Sequence, residues 1–201
     1  MTEVRLATAD DIEPLAAMLA HAFAHDPFFG YLAGDAPERG ERMRVGWTGL
    51  LRHASDGLST TYTTDDHAGA ALWHPPGYGG AGFIGSLRMT PSLARLAGGF
   101  GNLRRISRAV DALEARRHVH APGRHFYLSA VGVDPARQGQ GVGTALLRPV
   151  LERADADHTP AYLETAVARN VLLYERLGFD VVEELVLPDT DIHGWLMLRA
   201  R

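Results

Sequence analysis

The sequence predicts a single domain of mixed α/β class, and three observations lead to that prediction. Its 201 residues suit one ordinary domain with a sizeable buried core. Stretches in which apolar and polar side chains alternate, as in strands, are interleaved with stretches of helical spacing. Neither an internal repeat nor a linker interrupts these stretches, so we place residues 1–201 in one domain.

The chain begins with a short predicted strand that leads into a helix. Val4 and Leu6 alternate with polar neighbours, as in a strand. Asp10 followed by Glu13 is typical of a helix N-terminus. Apolar residues then recur at helical spacing, namely Ile12, Leu15, Ala16, Leu19 and Phe23. The segment HDPFFGYL ends this helix and places three aromatic residues in a connecting stretch: Phe28, Phe29 and Tyr31.

A second helix and a hairpin follow. Pro37 suits the first turn of a helix that ends near Ser55. Two β-rich segments, residues 58–64 and 68–74, flank a pair of aspartates and predict the hairpin. Residues 75–82 form a loop by composition, because they are rich in proline and glycine.

A basic segment occupies the middle of the chain. Seven arginines lie between Arg88 and Arg117, and the apolar spacing predicts a helix there from about Ser92. A basic helix face can bind nucleic acid. The net charge of -4 and the pI of about 6.2 favour a solvated helix surface instead. We therefore expect no nucleic-acid partner.

The C-terminal third shows its pattern more clearly. FYLSAVGV, residues 126–133, is almost wholly apolar, as expected for a strand with both faces covered. The predicted elements that follow are a helix from Gly141 to about Asp157, a strand over 161–165, a helix over 170–177 that Gly178 stops, and strands over 181–187 and 194–198.

The composition excludes several classes of function. There is no cysteine, which rules out disulfides, thiolate nucleophiles and cysteine-held metals. All 20 basic residues are arginine, so neither a Walker-type phosphate loop nor a Schiff-base enzyme is possible. The first residues show no apolar signal-peptide core. We expect a cytoplasmic protein without a membrane partner.

The most informative segment is VGVDPARQGQGVGTALL. Three alternate glycines, Gly139, Gly141 and Gly143, open a predicted helix. Glycines there let the backbone approach a ligand, and the free N–H groups and the helix dipole favour a phosphate. A plain glycine-rich turn is the alternative. A Rossmann dinucleotide site is excluded, because its fingerprint has the spacing G-x-G-x-x-G close behind the strand.

Two motifs identify a resemblance. QGQGVG, residues 138–143, matches the Q/R-x-x-G-x-G/A motif of the GCN5-related N-acetyltransferase (GNAT) family, and NVLLYERLGF follows at the expected distance. The chain therefore resembles the GNAT family. Within it, the N-terminal segment, ALWHPP, YLET and the final strands resemble puromycin N-acetyltransferase and its relatives.

The resemblance implies a fold and a donor. The GNAT fold has a central, mostly antiparallel twisted sheet, flanked by helices and split into a V at the cofactor site. Acetyl-CoA would donate the acyl group, with its pyrophosphate on the backbone of the glycine loop. Main-chain groups of Val131 and Val133 would pair with the pantetheine, and Gly132 would allow a bulge or a close approach. The implied cofactor-binding residues are Val131, Gly132, Val133, Gln138, Gly139, Gln140, Gly141, Val142, Gly143, Thr144 and Asn170.

The resemblance also implies catalytic residues. Tyr174 lies one helical turn after Asn170, so both side chains share a face. Asn170 would touch the cofactor and Tyr174 would protonate the departing CoA thiolate; a tyrosine packed against the sheet is the alternative. Glu164, in the strand YLET, is our first candidate for the base that deprotonates the amine. Three histidines are weaker candidates: His118, His120 and His125.

We expect the acceptor to lie where the first helix, its following loop and the strand ending at Trp73 converge. Five aromatic residues could form a wall for it, although ordinary core aromatics are the alternative: Phe28, Phe29, Tyr31, Trp73 and Tyr78.

The predicted function is acetyl-CoA-dependent N-acetylation by direct attack in a ternary complex. The acceptor would be a primary amine of a small molecule, such as an aminonucleoside or another antibiotic. A protein amine acetyltransferase and a non-catalytic acyl-CoA-binding sensor are the alternatives. We expect no bound metal, and the sequence leaves open whether the protein is a homodimer.

Overall fold

The structure is a computed structural model that describes residues 3–34, 37–53, 60–77, 96–97 and 100–200. Its strands are β1 (Val4–Leu6), β2 (Thr61–Thr64), β3 (Gly69–His74), β4 (Phe126–Val133), β5 (Ala161–Thr165), β6 (Asp180–Val186) and β7 (His193–Arg199). Its α-helices are α1 (Ile12–Ala22), α2 (Pro27–Ala33), α3 (Arg39–His53), α4 (Phe100–His120), α5 (Val142–Ala156) and α6 (Ala168–Arg176).

The seven strands form one sheet in the order β1-β2-β3-β4-β5-β7-β6. Neighbouring strands are antiparallel, except for β4 and β5, which are parallel. One layer of buried side chains packs the sheet against α1 and α3, and another packs it against α5. This mostly antiparallel sheet between helices confirms the predicted fold class.

The sheet splits between β4 and β5. The two strands pair only where residues 126–128 face residues 161–163. On its other edge, β4 stays paired with β3 as far as Val133. The pairing of β3 with β4 shifts register between Leu72 and Trp73, which leaves Ser129 as the extra residue of a bulge. The split therefore opens at this bulge and exposes the C-terminal half of β4.

The bulge also changes which side chains of β4 face each helical layer. Before it, Phe126 and Leu128 pack in the layer beneath α5; after it, Val131 and Val133 do so. Ala130 instead packs beneath α1 and α3. An uninterrupted strand would have kept one parity throughout. Side chains of β4 therefore pack on both faces of the sheet, as the apolar run of residues 126–133 predicts.

One predicted connection is wrong. The stretch that holds Phe28, Phe29 and Tyr31 is helix α2 rather than a loop. Asp26 caps this helix, since its Oδ1 accepts a hydrogen bond from the backbone N–H of Phe29 at 2.9 Å. Pro27 occupies the first helical position, where its missing N–H is not needed.

The arginines of α4 that the structure describes contact other parts of the chain. Arg108 forms an ion pair with Asp189 at 2.8 Å, and the guanidinium of Arg117 lies 4.6 Å from the centre of the Tyr127 ring. Residues 92–95, which the sequence places in this helix, lie outside the described residues. No helix among those described is both long and apolar enough to cross a bilayer.

Candidate active site

Two cavities meet where the sheet splits. The first, which we call the long cleft, has a volume of about 920 Å³ and runs from α1 past the end of β4 to α6. The second, the inner cavity, has a volume of about 110 Å³ and lies between α2, β4 and the end of β5. The two share six lining residues: Phe23, Asp26, Val131, Ala166, Asn170 and Tyr174.

The glycine loop forms one wall of the long cleft. Gly139 has φ +75° and Gly141 has φ +81°, a left-handed conformation that favours glycine. Gly141 is the N-cap of α5, so the first N–H groups of that helix have no acceptor within it. Gly143 has no left-handed φ, and a side chain there would only touch Val133, 3.6 Å away. The loop therefore presents free amides and the positive end of a helix dipole.

Side chains hold the glycine loop in this shape. Arg137 donates from Nε to Gln140 Oε1 at 3.1 Å and from Nη1 to Asp66 Oδ2 at 2.6 Å. Gln138 donates from Nε2 to the carbonyl oxygen of Val133 at 3.2 Å. The hydrogen bonds from Thr64 and from Arg137 lower the pKa of Asp66 to about 2. The side chains of both predicted glutamines thus fix the loop, while its amides remain available.

The exposed half of β4 turns main-chain groups toward the split. The backbone N–H of Asp134 donates to the carbonyl of Ala68, on the β3 side, at 2.9 Å. Because main-chain groups of successive strand residues point to opposite edges, those of Val133 and Val131 point away from β3. Both residues line the long cleft. These are the two residues whose backbone the resemblance assigned to the pantetheine.

Gly132 allows a close approach, while the bulge lies elsewhere. A Cβ at Gly132 would stand 2.7 Å from Leu19 Cδ2 and 2.9 Å from a ring carbon of Phe23. Glycine therefore lets α1 pack directly on β4 beside the cleft. The bulge forms at Ser129, whose hydroxyl donates to the carbonyl of Leu72 at 3.0 Å.

Helix α6 brings Asn170 and Tyr174 to both cavities. Gly178, at φ +85°, follows the C-terminus of α6 and stops the helix. The N–H of Phe179 then donates to the carbonyl of Tyr174 at 3.0 Å. Tyr174 is buried, and its burial raises the pKa of the phenol well above its usual range, with a smaller contribution from the charge of Asp26. The hydroxyl stays protonated at neutral pH, as a proton donor must.

Glu164, near the end of β5, lines the inner cavity. Burial raises the pKa of its carboxyl to about 7. The Tyr127 phenol, the Arg117 charge and the Tyr162 phenol act in the opposite direction, whereas Glu114 adds to the rise. A carboxyl with a pKa near neutrality changes protonation in the working range of a general base.

The structure brings together only part of the predicted aromatic wall. Phe28 and Phe29 line the inner cavity. Tyr31 points elsewhere and lines a separate surface depression. Trp73 is 2% exposed and packs in the core beneath α5, so it lines neither the long cleft nor the inner cavity. Tyr78 lies outside the described residues.

The three histidine candidates lie away from both cavities. His120 Nε2 lies 2.6 Å from Glu183 Oε2, a contact that ties α4 to β6. His125 Nδ1 lies 2.8 Å from the carbonyl of Gly123. His118 lines neither cavity. Within the described part of the chain, no group of three or more His, Cys, Asp or Glu side chains could hold a metal ion.

Several lining residues had not been predicted from the sequence. Asp26 lines both cavities, and the Asp-Pro pair that caps α2 was its only signal. Three arginines line the long cleft: Arg137, Arg169 and Arg176. Arg137 directly precedes the glycine motif, but Arg169 and Arg176 come from α6, and no pattern along the chain links them to the loop.

The cavities differ in charge. The long cleft carries these three arginines and two histidines, against Asp26 as its one acid among the described lining residues. The inner cavity carries two carboxylates, Asp26 and Glu164, and its described lining holds no arginine or histidine. The first arrangement suits an anionic ligand such as a phosphate, and the second suits a cationic one.

Comparison with known proteins agrees with this architecture. The profile of the acetyltransferase (GNAT) family matches residues 99–179, which include β4, the glycine loop and α6. The chain is also similar to an uncharacterized N-acetyltransferase of Schizosaccharomyces pombe, with 27% identity over 89% of this chain and 74% of the relative.

Solved structures share the fold. One is histone acetyltransferase HPA2 and related acetyltransferase from Corynebacterium glutamicum, with a TM-score of 0.72 and 24% identity over 99% of this chain and 96% of that chain. Another is the polyamine N-acetyltransferase of Drosophila melanogaster, which catalyses the formation of N-acetylagmatine. Its TM-score is 0.66, with 17% identity over 98% of this chain and 99% of that chain.

Proposed function

We propose that this chain, which belongs to the acetyltransferase (GNAT) family, transfers the acetyl group of acetyl-CoA to a primary amine of a small molecule. The observation that carries the proposal is the junction of the two cavities. A basic cleft with free loop amides opens, at Tyr174, into a small cavity that holds two carboxylates. An anionic donor and a cationic acceptor could meet there.

The long cleft offers matching groups for each part of the donor. The amides from Gln138 to Thr144 would bind the pyrophosphate at the N-terminus of α5. Main-chain groups of Val131 and Val133 would pair with the pantetheine, as another strand would. Asn170 would contact the same arm, because it lies on the cleft wall one turn before Tyr174.

The inner cavity supports the chemistry of transfer. Glu164 would take one proton from the ammonium group of the acceptor, directly or through a water. The neutral nitrogen then attacks the thioester carbon, so a C–N bond forms and the C–S bond breaks. Tyr174 would give its proton to the leaving sulfur and regain one from the nitrogen as the intermediate collapses. Glu164 finally releases its proton to solvent.

The acceptor is proposed to be small. The inner cavity has a volume of about 110 Å³, which suits the amine-bearing end of a small molecule. Among the proteins with this fold, the polyamine N-acetyltransferase of Drosophila melanogaster forms N-acetylagmatine, a small amide. Aminonucleosides and other amine-bearing antibiotics are larger test acceptors, of which only the amine-bearing end would have to enter the inner cavity.

Thiol release tests the proposal directly. The purified protein is mixed with acetyl-CoA and a panel of amines (agmatine, polyamines, arylalkylamines and puromycin), and free CoA is followed with a thiol-reactive dye. The chain has no cysteine, so the protein itself contributes no signal. We expect an amine-dependent rise with at least one class. Binding of acetyl-CoA without any release would contradict acetyl transfer and favour the sensor.

Tyr174→Phe separates a catalyst from a sensor. We expect kcat to fall about 100-fold, the lower end of what a positioned proton donor contributes. The affinity for acetyl-CoA, measured by calorimetry, should change little, because the aromatic ring is kept. Tyr62→Phe, which removes a phenol in β2 away from both cavities, is the matched control. Equal rates in the Tyr174→Phe variant and the wild type would contradict the assigned role.

A further inference from the structure

Asp26 borders three cavities. Besides the long cleft and the inner cavity, it lines a surface depression of about 540 Å³ between α2 and the segment before β7, near Ile192. We call this the outer depression. Among the described residues, Asp26 is the one that lines all three cavities. The Asp26 side chain therefore lies between the protein surface near α2 and the two cavities that meet at Tyr174.

The carboxylate of Asp26 is held in place by α2. Its Oδ1 accepts the backbone N–H of Phe29 at 2.9 Å and so caps the helix. Burial raises the pKa of Asp26, although the backbone amides and the charge of Arg39 act in the opposite direction. Arg39 also lines the outer depression, where its Nη2 donates to the carbonyl of Ala24 at 2.7 Å.

The surroundings on the inner side suit a cation. The two charged side chains that line the described inner cavity are both carboxylates, Asp26 and Glu164. Phe28 and Phe29 lie beside Asp26 along the same wall. An aromatic face attracts an ammonium group, and a poorly solvated carboxylate gains more from such a partner than an exposed one does.

We propose, on the basis of the acetyl transfer above, that Asp26 binds the ammonium group of the acceptor and selects amines that are cationic at neutral pH. The acceptor is held by Asp26 in the inner cavity, which Tyr174 also lines, and is then deprotonated by Glu164. The two carboxylates thus have separate tasks, since Asp26 governs binding and Glu164 governs the chemical step. Neutral amines lack the charge attraction to Asp26 and bind it more weakly.

A binding experiment tests this without turnover. Calorimetry on the protein saturated with CoA compares two probes of one shape, benzylamine, which is cationic, and benzyl alcohol, which is neutral. We expect the wild type to bind benzylamine at least tenfold more tightly, as for a charge-assisted hydrogen bond. Asp26→Asn should abolish this preference, and asparagine can still cap α2. A preference that survives in the variant, or is absent from the wild type, would overturn the inference.

Kinetics supply a second readout that a structural role would not give. With the best amine of the panel, Asp26→Asn should raise KM about tenfold and change kcat less than threefold, with an unchanged affinity for acetyl-CoA. Asp65→Asn removes an exposed carboxylate that pairs with Arg5 and is the control. A fall in kcat at constant KM would overturn the assignment to binding. Absence of turnover in the wild type would overturn acetyl transfer, while the benzylamine preference would still report on Asp26.

Discussion

The two sides of the active site are built in different ways. The donor-binding wall of the long cleft uses mainly backbone, namely the amides of the glycine loop and the edge of β4 that faces away from β3, and all of this comes from residues 131–144. The inner cavity uses side chains from α2, β4, β5 and α6, which are far apart in the chain. The backbone groups of the long cleft therefore lie in one continuous segment, while the inner cavity exists only after the chain has folded.

The difference affects how each side should respond to substitution. Backbone groups can bind a ligand regardless of which side chains neighbour them, provided that the chain can adopt the required dihedral angles. Side chains in a small cavity act one by one through charge, shape and pKa. Substitutions on the acceptor side should therefore change rate and specificity separately, and those in the loop should change donor affinity alone.

The largest effect is expected at Glu164. Because burial raises the pKa of its carboxyl to about 7, kcat/KM of the wild type should rise with pH through about 7 and then level off, as the ionised base forms. Glu164→Gln should lower kcat/KM about 100-fold at pH 8 and remove this rise. A pH series of thiol-release rates measures both.

The pH profile of kcat/KM also depends on the charged and titratable groups around Glu164. The groups that face it are Tyr127 on β4, Tyr162 on its own strand, and Arg117 and Glu114 on α4. Glu184→Gln, an exposed strand carboxylate, is the control and should keep the profile. A rise through pH 7 that persists in the Glu164→Gln variant would assign the base to another group.

An intermediate effect is expected in the glycine loop. Gly141→Ala forces a side chain into φ +81°, and we expect acetyl-CoA to bind about tenfold more weakly because the loop amides move. Calorimetry measures the affinity. The KM for the amine should stay the same, because residue 141 does not line the inner cavity.

Gly178→Ala provides the matched comparison. Its φ is +85°, and its nearest obstacle is Nε of Arg199, 3.2 Å away, which donates to the carbonyl of Leu177. Both variants should lose about 1 kcal/mol of unfolding free energy, but only the loop variant should lose donor affinity. Equal losses of affinity in both would show that general strain, rather than the loop, controls binding.

The same contrast explains what could be predicted from the sequence. The fold class, the bounds of β4 and β5 and the glycine loop that opens α5 follow from local patterns such as apolar runs and the G-x-G spacing. Asp26 could not be identified as a site residue, because its role depends on β5 and α6 lying opposite α2. Trp73 was placed at the acceptor because it ends a strand near the site, yet the bulge at Ser129 and the packing of α5 put its ring in the core.

The smallest effects are expected at Phe28 and Trp73, two aromatic residues that the sequence analysis places in the same acceptor wall. Phe28→Ala removes a wall of the inner cavity, so KM for an arylalkylamine should rise about fivefold, as expected for an aromatic contact worth about 1 kcal/mol. Trp73→Phe should lower the unfolding free energy by about 2 kcal/mol, since it opens space in the core, and should leave KM unchanged. Urea denaturation and steady-state kinetics on both variants measure the two quantities. If Trp73→Phe changed KM as much as Phe28→Ala, the core indole would be coupled to the acceptor, and the division between the two regions would fail at that point.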